Sequence, residues 1–210
     1  MIRSKKGFEI SISMIVMLIL GIILFTLSLY YLTNWFGEAE ELQAVLDKQT
    51  EDQIINSLRI GNKLVAIPIS VQTVTKGKRV SFGLGIRNVG DPRQFSVGIV
   101  FSKAYTPDGQ TIEADEQFIQ DNWLGRFTAM RGGMIMRNQQ QVIPIGIRAY
   151  PNIGSGKATT NGDYTFNVCV YDTSLTANNE VPHPCPRTPD EFNPAEVYTG
   201  KVYQVTVRVV

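Results

Sequence analysis

Residues 10–32 form an apolar run with no charge and no proline, interrupted only by Gly21 and a few hydroxyl side chains. A helix of that length rises about 1.5 Å per residue and covers roughly 34 Å, slightly more than the ~30 Å hydrocarbon layer of a bilayer. The pattern predicts a transmembrane helix. Ser11, Ser13, Thr26 and Ser28 can return their hydroxyls to carbonyls one turn back, and Tyr30, Tyr31 and Trp35 stand where an interfacial aromatic belt is expected. Beyond them Leu42, Val45, Leu46, Ile55 and Leu58 recur at roughly helical spacing. They predict that the helix runs on to about residue 60 as a solvated stalk, unless neighbouring copies or the following domain cover it. Gly61 and Asn62 supply a stop.

After Gly61 the hydrophobic period changes to two. Val80, Phe82, Leu84 and Ile86 alternate with Ser81, Gly83, Gly85 and Arg87, which gives one apolar face and one small or polar face. A turn at Gly90, Asp91 and Pro92 separates this run from Phe95, Val97, Ile99 and Phe101. Further strands are predicted over residues 64–74, 141–150, 163–171 and 200–209, and one or two more in the middle bring the total near seven. No helices alternate with them to make parallel crossovers. The predicted fold class is therefore α+β: a long N-terminal transmembrane α-helix followed by an antiparallel immunoglobulin-like β-sandwich. Tyr164, at the start of the stretch from Gly162, has the position of a tyrosine that closes a corner by hydrogen bonding.

Residues 106–138 fit the strand ladder poorly, since Phe118, Ile119, Trp123, Leu124 and Phe127 fall at near-helical spacing before Met130, Met134 and Met136. Two readings stand. The stretch is a long connection with a short helix covering an open sheet edge. Alternatively Phe118, Trp123, Phe127, Met130, Met134 and Met136 form an exposed patch that docks a neighbouring subunit.

Composition narrows the functional classes. Hydrophobic residues make up 43% of the 210-residue chain and charged ones 19%, which excludes a disordered polymer. Twenty basic and 19 acidic side chains leave a net charge of +1, so the chain has no global field to gather nucleic acid, and no small-molecule substrate is predicted. Charge asymmetry is local: Arg3, Lys5 and Lys6 precede the apolar run, whereas Glu38, Glu40, Glu41, Asp47, Glu51 and Asp52 follow it. The rule that basic flanks stay inside then predicts a single-pass cell-membrane protein with a cytoplasmic N-terminus and an extracellular C-terminal domain. Three parts follow: a basic leader over 1–9, the transmembrane helix and stalk over 10–60, and the sandwich over 61–210.

Cys169 lies on the alternation opposite to Tyr164, Phe166, Val168 and Val170, and so points away from the main core. A disulfide to Cys185 would staple the proline-rich loop over 178–194 to the sheet surface, worth about 3 kcal/mol by chain entropy. The metal alternative, Cys169 with His183 and Cys185, lacks a fourth ligand, and an inverted topology would leave two separate thiols. No nucleophile elbow, phosphate-cradling loop or paired metal-binding histidines occurs in the chain. No cofactor or catalytic residue is assigned, and a non-enzyme is expected.

The basic leader ending in Lys5, Lys6, Gly7 and Phe8, followed by Glu9 and a long apolar helix that leads into a β-domain, resembles the archaeal type IV pilin-like proteins, among them pilins, archaellins and archaellum stator components. The resemblance implies cleavage by a dedicated peptidase between Gly7 and Phe8, with 1–9 containing a class III signal peptide. It also implies a filament core of packed helices, formed through Glu9, Ile12, Ile15, Ile19, Gly21 and Ile23. Bacterial members carry their glutamate five residues after the cut, whereas Glu9 would be the second residue. Its other role is to cap the positive end of the helix dipole. Two functions are expected on these grounds. One is a cell-surface filament subunit that assembles as a homo-oligomer through the N-terminal helix. The other is an uncleaved, membrane-anchored module that binds a surface-layer, motor or saccharide partner.

Overall fold

A computed structural model describes residues 12–43, 48–172, 185–186, 194 and 197–210, with side chains over 13–28 and from Thr50 onward within those ranges. The chain forms two compact units, one up to Ala44 and one from Val45 to the C-terminus.

The first unit is helix α1, Ile12–Gln43. Every residue over 13–28 is exposed. Among the described residues no helix is long and apolar enough to cross a membrane. This corrects the transmembrane helix and the single-pass cell-membrane localisation that the apolar run predicts. The basic residues Arg3, Lys5 and Lys6 that set that topology lie outside the described residues, as do Gly7, Phe8 and Glu9.

The second unit is a mostly-sheet α+β fold with a curled half-barrel sheet. A three-stranded sheet has the order β1 (Val65–Ala66), β3 (Arg79–Arg87), β6 (Gln140–Arg148). A five-stranded sheet has the order β2 (Val71–Val74), β10 (Tyr203–Val209), β9 (Gly162–Asp172), β4 (Arg93–Tyr105), β5 (Ala129–Ile135). Strands β7 (Asn152–Gly154) and β8 (Lys157–Ala158) make a small hairpin. The period-two reading holds where it was strongest: Phe82, Leu84 and Ile86 of β3 and Phe95, Val97, Ile99 and Phe101 of β4 all enter one core. Ile143, Ile145 and Ile147 of β6 join them, together with Tyr164, Phe166, Val168 and Val170 of β9 and Val205, Val207 and Val209 of β10.

The predicted antiparallel immunoglobulin-like sandwich is corrected at residues 64–74, which are not one strand. The segment changes sheets at 67–70, around Pro68, whose nitrogen carries no proton for a ladder. Before the break β1 runs antiparallel to β3, with Val65 opposite Ile86 and Ala66 opposite Gly85. After it β2 runs parallel to β10, from Val71 beside Thr206 to Val74 beside Val209. Thr206 N–H donates to Ser70 O at 2.7 Å and Val210 N–H to Val74 O at 3.1 Å. The five-stranded sheet is thus mixed, whereas the three-stranded sheet is antiparallel.

Of the readings for the segment that leads to residue 60, cover by the following domain holds for its last part. Helix α2, Lys48–Arg59, belongs to the sheet unit. Ile54 and Leu58 are wholly buried with Ala66 and Val142 on the outer face of the three-stranded sheet. They fit because β3 places glycine there: a Cβ on Gly85 would lie 2.3 Å from Ile54 Cγ2 and 2.8 Å from Leu58 Cδ1. Spacing of four puts Ile54 and Leu58 on one helical face, so this amphipathic turn needed only a surface to cover it. Arg87 Nη1 donates to Leu58 O at 3.3 Å, capping the last turn. The chain then leaves through Asn62 at φ 48°, the stop read from Gly61 and Asn62.

Tyr164 makes the corner bond expected of it, Oη donating to Thr160 O at 2.8 Å. Burial pushes its hydroxyl pKa up to about 12, from 10.0. The unfolded chain therefore releases this proton at a lower pH than the folded one, so the stability involved is complete below pH 10 and falls as pH rises towards about 12. Denaturant titrations at pH 9 to 12 are expected to show a shallower alkaline loss for Tyr164→Phe than for the parent, since phenylalanine carries no titrating group.

Candidate functional site

Within residues 106–138 a short helical segment sends a few large side chains into the core. Helix α3, Glu116–Ile119, starts at Asp115, whose carboxylate accepts from Phe118 N–H at 3.0 Å. It continues through a π-helical turn over Gln120–Leu124 and a 3-10 turn over Gly125–Thr128. Ile119, Trp123 and Leu124 from this segment enter the main core. Trp123 is 2% exposed, its ring 4.7 Å from that of Tyr164, and its Nε1–H donates to Asn152 O at 3.1 Å. Phe127 is also buried, Phe118 is half-buried with its ring edge-on to Tyr150 at 6.0 Å, and Met130 is half-buried against the core. The docking patch read from these residues is therefore largely interior to one chain. Only Met134 and Met136, at 63% and 50% exposure, face outward. Met130 and Met134 lie on β5, where the helical spacing read further upstream has already ended.

Gln120 is a residue that sequence reasoning missed. Its Nε2 donates to Ile99 O at 2.9 Å and its Oε1 accepts from Phe101 N–H at 3.4 Å. The pairing of β4 with β9 shifts register between Phe101 and Lys103, beside this bond. An amide supplies both a donor and an acceptor to a backbone at such an irregularity. A glutamine inside an apolar helical run was the signal available.

Cys169 and Cys185 form a disulfide, with Cα atoms 5.4 Å apart. Cys169 faces away from the main core as the alternation requires, yet it is buried. It sits in a second cluster with Val100, Tyr171, Cys185 and Val197 on the outer face of the five-stranded sheet. Asn167 Nδ2 donates to Pro186 O at 3.0 Å beside it. Both sulfurs being bonded to each other, neither is a thiolate able to join His183 around a metal. His183 itself lies outside the described residues.

A groove of about 620 Å³ opens between residues 62–67, which include β1, and residues 198–203, which lead into β10. Its opposite wall is held from behind. Tyr198 Oη donates to Arg87 O at 2.9 Å, and its ring meets Phe95 edge-on at 4.6 Å. Burial raises the Tyr198 hydroxyl above its ordinary pKa, which keeps it a neutral donor. Tyr203 Oη donates to Thr199 Oγ1 at 3.2 Å. Lys63 and Lys201 are exposed at the groove, and neither forms an ion pair among the described residues. The lining carries no carboxylate, histidine or cysteine. Such a surface can donate hydrogen bonds and attract anions, but it presents no proton acceptor matched to a nucleophile.

The residues assigned to helix assembly are far in sequence from this groove. Ile15, Ile19, Gly21 and Ile23 are exposed on α1, and Ile12 begins its backbone.

No family model matches the chain, and no curated protein matches it. Among solved structures it is similar to a family 123 glycoside hydrolase from Clostridium perfringens at 14% identity, over 66% of this chain and 22% of that one, with a TM-score of 0.33. It is also similar to an alkylpurine DNA glycosylase from Pseudomonas fluorescens, bound to DNA containing an abasic site analogue, at 13% identity, over 76% of this chain and 35% of that one, with a TM-score of 0.30. The chain thus spans about a fifth and about a third of the length of these structures. Likeness at this level bears on neither fold nor activity, and nothing in these comparisons supports the pilin-like resemblance.

Proposed function

We propose that the chain is a non-enzymatic structural subunit that assembles with copies of itself through α1, as a pilin-like filament protein does. One observation carries the proposal: every described side chain over 13–28 is exposed, and large apolar residues occupy the whole helical circumference, as the unbroken run from Met14 to Leu20 requires. A helix that is apolar all round needs cover on every side, and a single neighbouring face cannot supply it. Several copies of the same helix can. Gly21 supports close approach, since it carries no side chain to hold a neighbouring helix away. The Thr26 hydroxyl is satisfied within its own helix by Ile22 O and Ile23 O, both at 2.9 Å, and so can be buried without a water partner.

Sedimentation and electron microscopy of the full chain test the proposal. Large homo-oligomers or fibres are expected, and Ile19→Glu combined with Gly21→Leu is expected to reduce assembly at least tenfold with the near-ultraviolet dichroism of the sheet unit unchanged. A chain that stays monomeric at every concentration, or assemblies indifferent to the double substitution, would defeat it.

A further inference from the structure

The groove beside β1 has a second property, set by strand register. β1 is an edge of its sheet, bonded to β3 on one side, and no strand pairs with its other side among the described residues. Arg87 N–H donates to Leu64 O at 2.8 Å while Val65 stands opposite Ile86. In an antiparallel ladder this makes Val65 and Ile86 a non-hydrogen-bonded pair, so the N–H and C=O of Val65 point away from β3. Val65 lines the groove.

The opposite edge of the molecule is guarded differently. The pairing of β5 with β4 breaks register between Gln94 and Ser96, Gln94 Nε2 donates to Gly132 O at 2.8 Å, and Gly133 N–H donates to Gln141 Oε1 at 3.1 Å. A bulge and side-chain bonds together blunt an edge against further pairing. At β1 the flanking groups are instead Lys63 and Lys201, which discourage a basic or neutral strand and attract an acidic one. β1 is two residues long, so at ~3.3 Å per residue it pairs with a short stretch of about two or three extended residues, and the groove falls within the ~300–1,000 Å³ of ordinary ligand clefts.

We propose that this groove binds an extended acidic peptide segment as an added strand on β1, the peptide backbone pairing with Val65 and its carboxylates meeting Lys63 and Lys201. The main chain supplies a bonding pattern common to any extended peptide, while the two lysines select its charge. Tyr198, bonded and stacked from behind, and Tyr203, bonded to Thr199, hold the second wall in place.

The test uses the isotopically labelled full chain in mild detergent and a synthetic octapeptide of alternating Glu and Val. Saturable binding is expected, with at least tenfold slower amide exchange at Val65. A Lys-Val octapeptide is expected to bind at least tenfold more weakly. Lys63→Gln with Lys201→Gln should cost at least tenfold in affinity with the near-ultraviolet dichroism unchanged. Absence of saturable binding, equal affinity for the two peptides, or binding with unaltered exchange at Val65 would each overturn the proposal. So would full displacement by millimolar inorganic phosphate, which would mark the lysines as a simple anion site.

Discussion

Replacing Trp123 with alanine is expected to lower the stability of the sheet unit by about 3–5 kcal/mol, read as a lower denaturant midpoint with little change in slope. The cost has two sources. The indole is almost wholly buried among Tyr164, at 4.7 Å, and Phe166, at 6.4 Å, so truncation opens a cavity that two sheets cannot both move to fill. It also leaves Asn152 O without the indole donor. Trp123→Phe keeps much of the apolar contact but loses the donor and part of the ring volume, so a smaller loss of about 1–3 kcal/mol is expected. An alanine variant as stable as the parent but impaired in self-association would reverse this account and return Trp123 to an intermolecular surface.

The second large effect is expected at Gly85. An added methyl would stand 2.3 Å from Ile54 Cγ2, closer than packed carbon atoms approach, so Gly85→Ala must displace α2 or shift β3. Overpacking of this kind costs about 1–3 kcal/mol, and displacement of α2 should make residues 48–59 a protease target ahead of the sheets. Leu58→Ala, by removing a fully buried side chain, is expected to cost about 2–5 kcal/mol on its own. Because the two changes act on one contact, the double variant should be less destabilised than their sum. Strict additivity would show that Gly85 and α2 are not packed together as described.

These two sites show how unevenly the architecture could be read from residue order. The small face of β3, with Ser81, Gly83 and Gly85, was visible in the alternation, and so was the helical spacing that includes Leu58. Neither pattern says that one lies on the other. A glycine face reads equally well as close packing, a bulge or open surface, and an amphipathic helix states only that it needs a partner. The same applies to Trp123. Its near-helical spacing with Phe118 and Phe127 announces a helical segment, here an α, a π and a 3-10 turn in succession, yet whether such a segment lies over an edge, between two sheets or against another chain depends on space left by strands remote in sequence. The groove was invisible for a related reason: Lys63 and Tyr198 are ordinary surface residues until folding brings their segments to opposite walls.

Period-two alternation decided which side chains of β3, β4 and β9 would be core, and that Cys169 would face the other way, because a strand has only two faces and each residue's side follows from its neighbours. The lone proline at 68 carried in the chain itself the reason why residues 64–74 could not pair as one strand. Strand order, the parallel pairing of β2 with β10, the seat of α2 on Gly85 and the edge at Val65 that no strand among the described residues pairs came only with the folded chain. Backbone donors and acceptors are alike in every residue but proline, so local sequence can say that a strand will pair while leaving its partner and direction to whichever surfaces burial brings together.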